Sequence, residues 1–224
     1  MRISALFIMM ILFLGHAKAE DTEYGLGLGY IAPNRASFQS YAANVTVISP
    51  ASSTDDAGSI VENYGPGFTL DLQVKNTYSK KWGFWLGLKF ISPVNLTSST
   101  IKRTTGTTDS TYVGSYDTLQ TSDVNANFFY IFNDTYVGLG VNQSMHIYSP
   151  APLAGFQQKA SATGGVGYQL SIGLMLHKEV HLEAAIIQHA LAISGSATAA
   201  NGSIKYNLSG GNILSTTAGL IFYF

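Results

Sequence analysis

Few residues of this 224-residue chain could do chemistry, and they are scattered. Glu183, His189 and Ser194 supply the side-chain types of a hydrolytic acid, base and nucleophile. Such residues fall together by chance in many short stretches, and only geometry makes a triad. His146, His177, His181 and His189 are too dispersed for a designed metal site, with only Glu179 and Glu183 as carboxylates near His177 and His181. The chain has no cysteine, which removes disulfides, thiol nucleophiles and Cys-ligated zinc. A different set stands out by position. Asp71, Lys75, Lys89, Asp123, His181 and Glu183 each occupy the polar side of a stretch whose alternate positions are apolar. Enclosed charges must pair or lose their charge. Both signs are present, so these six read as an interior polar network, with Lys75 or Lys89 expected against Asp71 and Asp123. No catalytic residue, metal or cofactor is predicted. A polar conduit through the same residues is the functional counterpart.

The stretches that hold these residues alternate with period two, the mark of strands with two unlike faces. Tyr24, Leu26, Leu28 and Tyr30 interleave with glycines; Phe68 to Lys75, Trp82 to Phe90, Asp123 to Phe132 and Val137 to Asn142 follow. Gly165 to Leu174, Val180 to Ile186 (beyond which the register blurs) and Thr217 to Phe224 complete eight runs. An even number suits a single-chain transmembrane barrel. The connections alternate in length. Tyr78–Lys81, Asn133–Asp134 and His177–Glu179 are tight turns, whereas Pro33–Tyr64, Ser92–Gln120, His146–Ala160 and Ser194–Gly211 are long and rich in Ser, Thr, Asn and Gly. Long unstructured connections point to function or mobility. The stretches Ile48–Ile60 and Lys102–Tyr116 are read as covering the extracellular rim or recognising a surface.

The amino terminus reads as a signal peptide over residues 1–19: Arg2, the apolar Ala5–Leu14, then Ala17-Lys18-Ala19 as a small-x-small cleavage site. The apolar run is shorter than the ~20 residues a spanning helix needs. Nowhere else does the sequence approach that length, so residues 20–224 can enter a bilayer only as strands. Charged residues make up 11% of the chain, against about 25% in an ordinary soluble domain, as expected of a chain with little water-facing surface. The net charge of −1, with no basic cluster larger than Lys80-Lys81 or Lys102-Arg103, argues against nucleic acid as a partner.

Alternation alone does not say which face points in. Volume does: an eight-stranded barrel is only wide enough for side chains to fill it. Trp82, Phe84, Phe90, Phe128, Tyr130, Phe132, Tyr168, Phe222 and Phe224 share the apolar face and would crowd that interior. The other face is mostly Gly, Ser, Thr, Asn and Gln, with Trp85, Phe129, Ile131 and Ile187 as its bulky apolar members. No Asp, Glu, Lys or Arg interrupts the apolar positions, where a midplane cation would cost roughly 2–4 kcal/mol. The expectation is therefore an all-β fold: an eight-stranded antiparallel up-and-down transmembrane β-barrel, greasy outside and polar within.

The carboxy terminus carries a resemblance. Leu220, Phe222 and the terminal Phe224, with Tyr223 between them, look like the assembly signal of Gram-negative outer-membrane proteins. With the signal peptide and the uneven connections, the chain resembles the small outer-membrane barrels of the OmpA-membrane-domain, OmpX and OmpW kind. That resemblance implies the cell outer membrane as location. It implies outer-membrane lipid, lipopolysaccharide and the barrel-assembly machinery as partners, and an extracellular surface ligand for the loops. The function it implies is non-enzymatic: a rigid anchor whose four long loops serve recognition or envelope integrity. The alternative is a narrow channel or small hydrophobic-solute transporter of the OmpW kind, and a lipid-modifying hydrolase is third.

Overall fold

The computed structural model describes residues 21–48, 51–104, 110–113, 117–152 and 154–224. The expected signal peptide, and parts of the connections at 49–50, 105–109 and 114–116, lie outside the described residues. Twelve strands follow one another: β1 (Asp21–Ile31), β2 (Asn34–Ile48), β3 (Ala51–Tyr64), β4 (Gly67–Ser79), β5 (Trp82–Arg103) and β6 (Ser110–Val113). Then come β7 (Thr118–Phe132), β8 (Thr135–Ser149), β9 (Gln157–Gly164), β10 (Val166–His177), β11 (Val180–Ala199) and β12 (Gly202–Tyr223).

The eight alternating runs are β1, β4, β5, β7, β8, β10, β11 and β12, and antiparallel pairings join them in that order into a closed ring. Closure is made where β1 meets β12, with Leu26 opposite Phe222 and Leu28 opposite Leu220. Reciprocal backbone bonds between Tyr24 and Phe224 finish that ladder. In lipid an unpaired backbone group has no substitute partner, so a ring without edges is the only strand solution. Asn133 adopts φ 55° in the tight Asn133–Asp134 turn, a conformation Asn tolerates better than most residues.

The long connections are not loops. They form β2, β3, β6 and β9, and they lengthen β5 and β12 to 22 residues each, about twice the ~9–11 needed to cross a membrane. These additions build a second ring on top of the first. In it β2 and β3 take the places of β1 and β4 between β12 and β5, and β9 takes the place of β10 beside β11. This upper ring is not fully closed. Among the described residues no backbone ladder joins β8 to β9; a bond from Ser144 N–H to the Gly165 carbonyl marks the foot of the seam.

Polarity inverts between the two rings. In the lower one Leu28, Leu72, Leu88, Phe128, Leu139, Leu170 and Leu220 are exposed on the outside, while Asp71, Asn125, Asn127 and Ser171 are buried within. The expected orientation therefore holds there. Phe84 and Ala126 keep the outward register yet are almost wholly covered. In the upper ring the buried interior is apolar (Phe38, Ile60, Val94, Leu96, Ile101, Leu119, Ile193, Leu208), and Asn95, Thr97, Ser194 and Asn207 face outward. The change tracks the solvent. Where the wall meets lipid, apolar side chains belong outside; where it meets water they belong inside.

Candidate functional site

The interior is a stack of layers, each placed by strands that point alternate residues inward. At the bottom Trp85 of β5, Phe129 of β7 and Tyr136 of β8 form an aromatic cluster, with Trp85 and Phe129 stacked at 5.2 Å. Glycines opposite make the room: a Cβ at Gly173 would collide with the Tyr136 ring, and one at Gly138 would press on the Trp85 indole. His181 packs on Tyr223 at 4.6 Å, and Tyr223 donates to Gln73 at 2.9 Å.

Charges come next. All six residues expected in the network, Asp71, Lys75, Lys89, Asp123, His181 and Glu183, are buried inside the ring. Lys89 lies 3.2 Å from Asp71 and also attracts Asp123 and Glu183. Lys75 does not pair with Asp71 or Asp123, as the spacing had suggested. It bonds Glu23 at 2.7 Å and stands over the Tyr223 ring at 4.7 Å. The reason is register: β1 lies beside β4, bringing Glu23 directly opposite Lys75. Glu183 accepts from Tyr136 Oη at 2.9 Å, and Asn127, Asn125 and Asp123 form a relay of side-chain bonds up β7. The space left among Asp71, Lys89 and Glu183 is about 10 Å³, no more than one water requires. Buried charges thus crowd this level of the lower ring.

Above the charges His146 bridges Thr121 Oγ1 (2.9 Å) and the Ala190 carbonyl (3.0 Å), beside the fully buried His189. Then the apolar section begins. Ile31, Phe38, Ile60, Tyr64, Ile91, Leu119, Leu191 and Ile213 pack together, with Tyr41, Tyr148, Ala162 and Tyr206 around them. Two hydrogen-bonded pairs lie within this section, at the levels of Leu96 and Ser99. Tyr64 Oη donates to Glu62 at 2.6 Å, and Tyr148 Oη donates to Asp117 at 2.6 Å. Asp117 also accepts the Ala151 N–H, which ties the β8–β9 connection to the start of β7. Burial lifts the Glu62 carboxyl to about 7; the Tyr64 hydrogen bond opposes this and the Asp117 charge adds to it. Burial likewise raises Tyr64 and Tyr148.

Glu183, His189 and Ser194 are not assembled into a triad. His189 points into the barrel, whereas Ser194 is exposed on the outer face with Ser161 3.0 Å away. No cluster of three metal-ligating side chains occurs among the described residues. Leu220, Phe222 and Phe224 of the terminal segment face outward, and Tyr223 faces in. Glu23, Tyr136, Glu62 and Asp117 escaped the sequence reading. Carrying the alternation one residue past Tyr24 and Val137 would have reached Glu23 and Tyr136, and Glu62 sits in step with Ile60 and Tyr64. Asp117 offers no periodic signal.

No protein-family model matches the sequence, and no curated protein matches it. Solved structures do. The chain is similar to the outer membrane protein OprG from Pseudomonas aeruginosa, with a TM-score of 0.53, 17% identity, and coverage of 92% of this chain and 97% of that one. It is also similar to the outer membrane protein AlkL determined in lipid bilayers, with a TM-score of 0.51, 9% identity, and coverage of 93% and 92%. The chain has the fold of a small outer-membrane β-barrel. With the exposed apolar belt of the lower ring, this fold places the barrel in an outer membrane, the upper ring standing beyond the bilayer.

Proposed function

We propose that this outer-membrane barrel is a non-enzymatic carrier of small apolar molecules, which enter its upper ring from outside and leave sideways into the outer leaflet. The observation that carries this reading is the pairing of a lower ring crowded with buried, paired charges with an apolar interior above it that borders an unladdered seam. An ion or sugar would have to displace the Lys89–Asp71 pair and its neighbours to pass downward. An apolar solute meets no such barrier toward the side. Ala162, next to the seam, packs against the apolar section, and Met145 and Ile147 of β8 are exposed to lipid on the outside. Small Gly164 and Gly165 lie at the foot of the opening. The terminal Leu220, Phe222, Tyr223 and Phe224 would be read by the barrel-assembly machinery as the chain inserts.

Two measurements test this. Planar-bilayer recordings should show no steady ion conductance. Vesicles carrying the protein should take up an apolar fluorescent probe faster than empty ones, and Ala162→Trp should slow that uptake. Clear channel openings, or uptake indifferent to Ala162→Trp, would refute the route. The second reading is a rigid anchor whose upper ring recognises a surface; the polar, lysine-bearing outer face of β9, β11 and β12 favours it.

A further inference from the structure

One feature of the outer face belongs neither to the lumen nor to the seam. Ser196 of β11 lies directly opposite Lys159 of β9 on one side and Lys205 of β12 on the other. The three side chains form a row across neighbouring strands, with the lysine Cα atoms roughly 10 Å apart at two strand spacings. One row lower, Ser194 is opposite Ser161 and Asn207, and the two serine hydroxyls are 3.0 Å apart. Ser194-Gly195-Ser196 thus makes a floor of small residues between two lysine walls. The resulting trough has a volume of about 460 Å³, and its lining includes Lys159, Ser161, Ser194, Ser196, Lys205 and Tyr206. No carboxylate lines it.

From this geometry we infer that the trough is a binding site for an anionic saccharide, with both ammonium groups on one phosphate or carboxylate and the serine hydroxyls on adjacent sugar oxygens. Its height selects the source. Ser196 lies ten residues beyond Ile186, whose side chain is lipid-exposed on the same strand. At ~3.3 Å per residue and a tilt of ~40°, that is roughly 25 Å along the barrel axis. This is above the acyl chains, in the layer occupied by sugars of the outer leaflet. Two like charges sharing one wall without an acid repel each other, and an anion between them removes the repulsion. The ligand is therefore the phosphorylated core saccharide of lipopolysaccharide in the same membrane. The site is independent of the solute route, since it occupies the opposite face of the wall.

The test uses the full chain in detergent micelles. Phosphorylated core oligosaccharide is titrated alongside the same oligosaccharide after dephosphorylation and a sulfated oligosaccharide of equal length. The phosphorylated form should bind, and its affinity should fall steeply with added salt. Removing its phosphates should weaken binding at least tenfold. Lys159→Gln with Lys205→Gln should do the same, whereas Lys159→Arg with Lys205→Arg should retain binding and Lys80→Gln with Lys81→Gln should leave it unchanged. Heat-modifiable gel mobility reports that each variant is folded. Failure of the phosphorylated core to bind would overturn the assignment. So would equal binding by the double glutamine variant, or binding of the sulfated glycan alone.

Discussion

Replacing Glu62 by Gln isolates a buried carboxyl of the upper ring whose ionisation is shifted. The folded protein holds this group at about 7 against 4.5 for a free glutamate, so the folded upper ring binds a proton that the opened chain releases. The stabilisation is complete below about 4.5 and is lost as pH rises through about 7. At ~1.4 kcal/mol per pH unit the loss is on the order of 3 kcal/mol, or about a hundredfold in an opening equilibrium. Gln keeps the acceptor that Tyr64 Oη uses but cannot ionise. Amide hydrogen exchange reads the effect at the β3–β5 ladder, where Ile60 faces Ile101 and Glu62 faces Ser99. Protection there, corrected for intrinsic exchange, should fall about a hundredfold in the wild type between pH 4.5 and values well above 7. In the Gln variant it should stay flat, and the lower-ring ladders should not respond in either protein. A variant that keeps the wild-type fall, or a wild type whose protection grows with pH, would show that Glu62 is not the group at work.

Lys89→Met strands Asp71, Asp123 and Glu183 without their shared cation, and should cost about 3–5 kcal/mol in denaturant unfolding followed by gel mobility; adding Asp71→Asn should recover part of it. A neutral single variant would count against that pairing. Leu139→Arg, on the lipid face of β8, should destabilise the barrel by about 2–4 kcal/mol, whereas Asn207→Arg on the outer face of the upper ring should stay within about 0.5 kcal/mol. Equal effects at the two sites would mean that the bilayer boundary is misplaced.

The lower ring was legible because its two faces meet different surroundings. Leu170, Ile172 and Leu174 against Gln169, Ser171 and Gly173 announce a strand, and the bulk of the apolar set decides its direction. The upper ring was harder to read, for identifiable reasons. Along β11 the sequence pattern blurs after Ile186 because the inward set that began with His181 and Glu183 continues as the apolar Ile187, Leu191 and Ile193, while Ile186 still faces lipid. The register shift opposite Leu191 and Ile193 falls on β12, which advances three residues from Leu208 to Gly211 and so loses its own alternation. In β2 the inward set Ala36, Phe38, Tyr41 and Ala43 changes step at the irregularity between Phe38 and Tyr41, so a strand passed for a polar connection.

The sequence by itself determined the strand count of the membrane ring, the face that meets lipid and six of the ionisable residues enclosed within that ring. All three follow from local alternation and side-chain size, which need no partner to be read. The tertiary structure alone decided that Lys75 meets Glu23, that Lys159 and Lys205 flank Ser196, and that β8 and β9 part above Gly165. Those facts depend on which strands become neighbours and in what register. Pairing is set by closure of the whole ring, a condition no single stretch of chain contains.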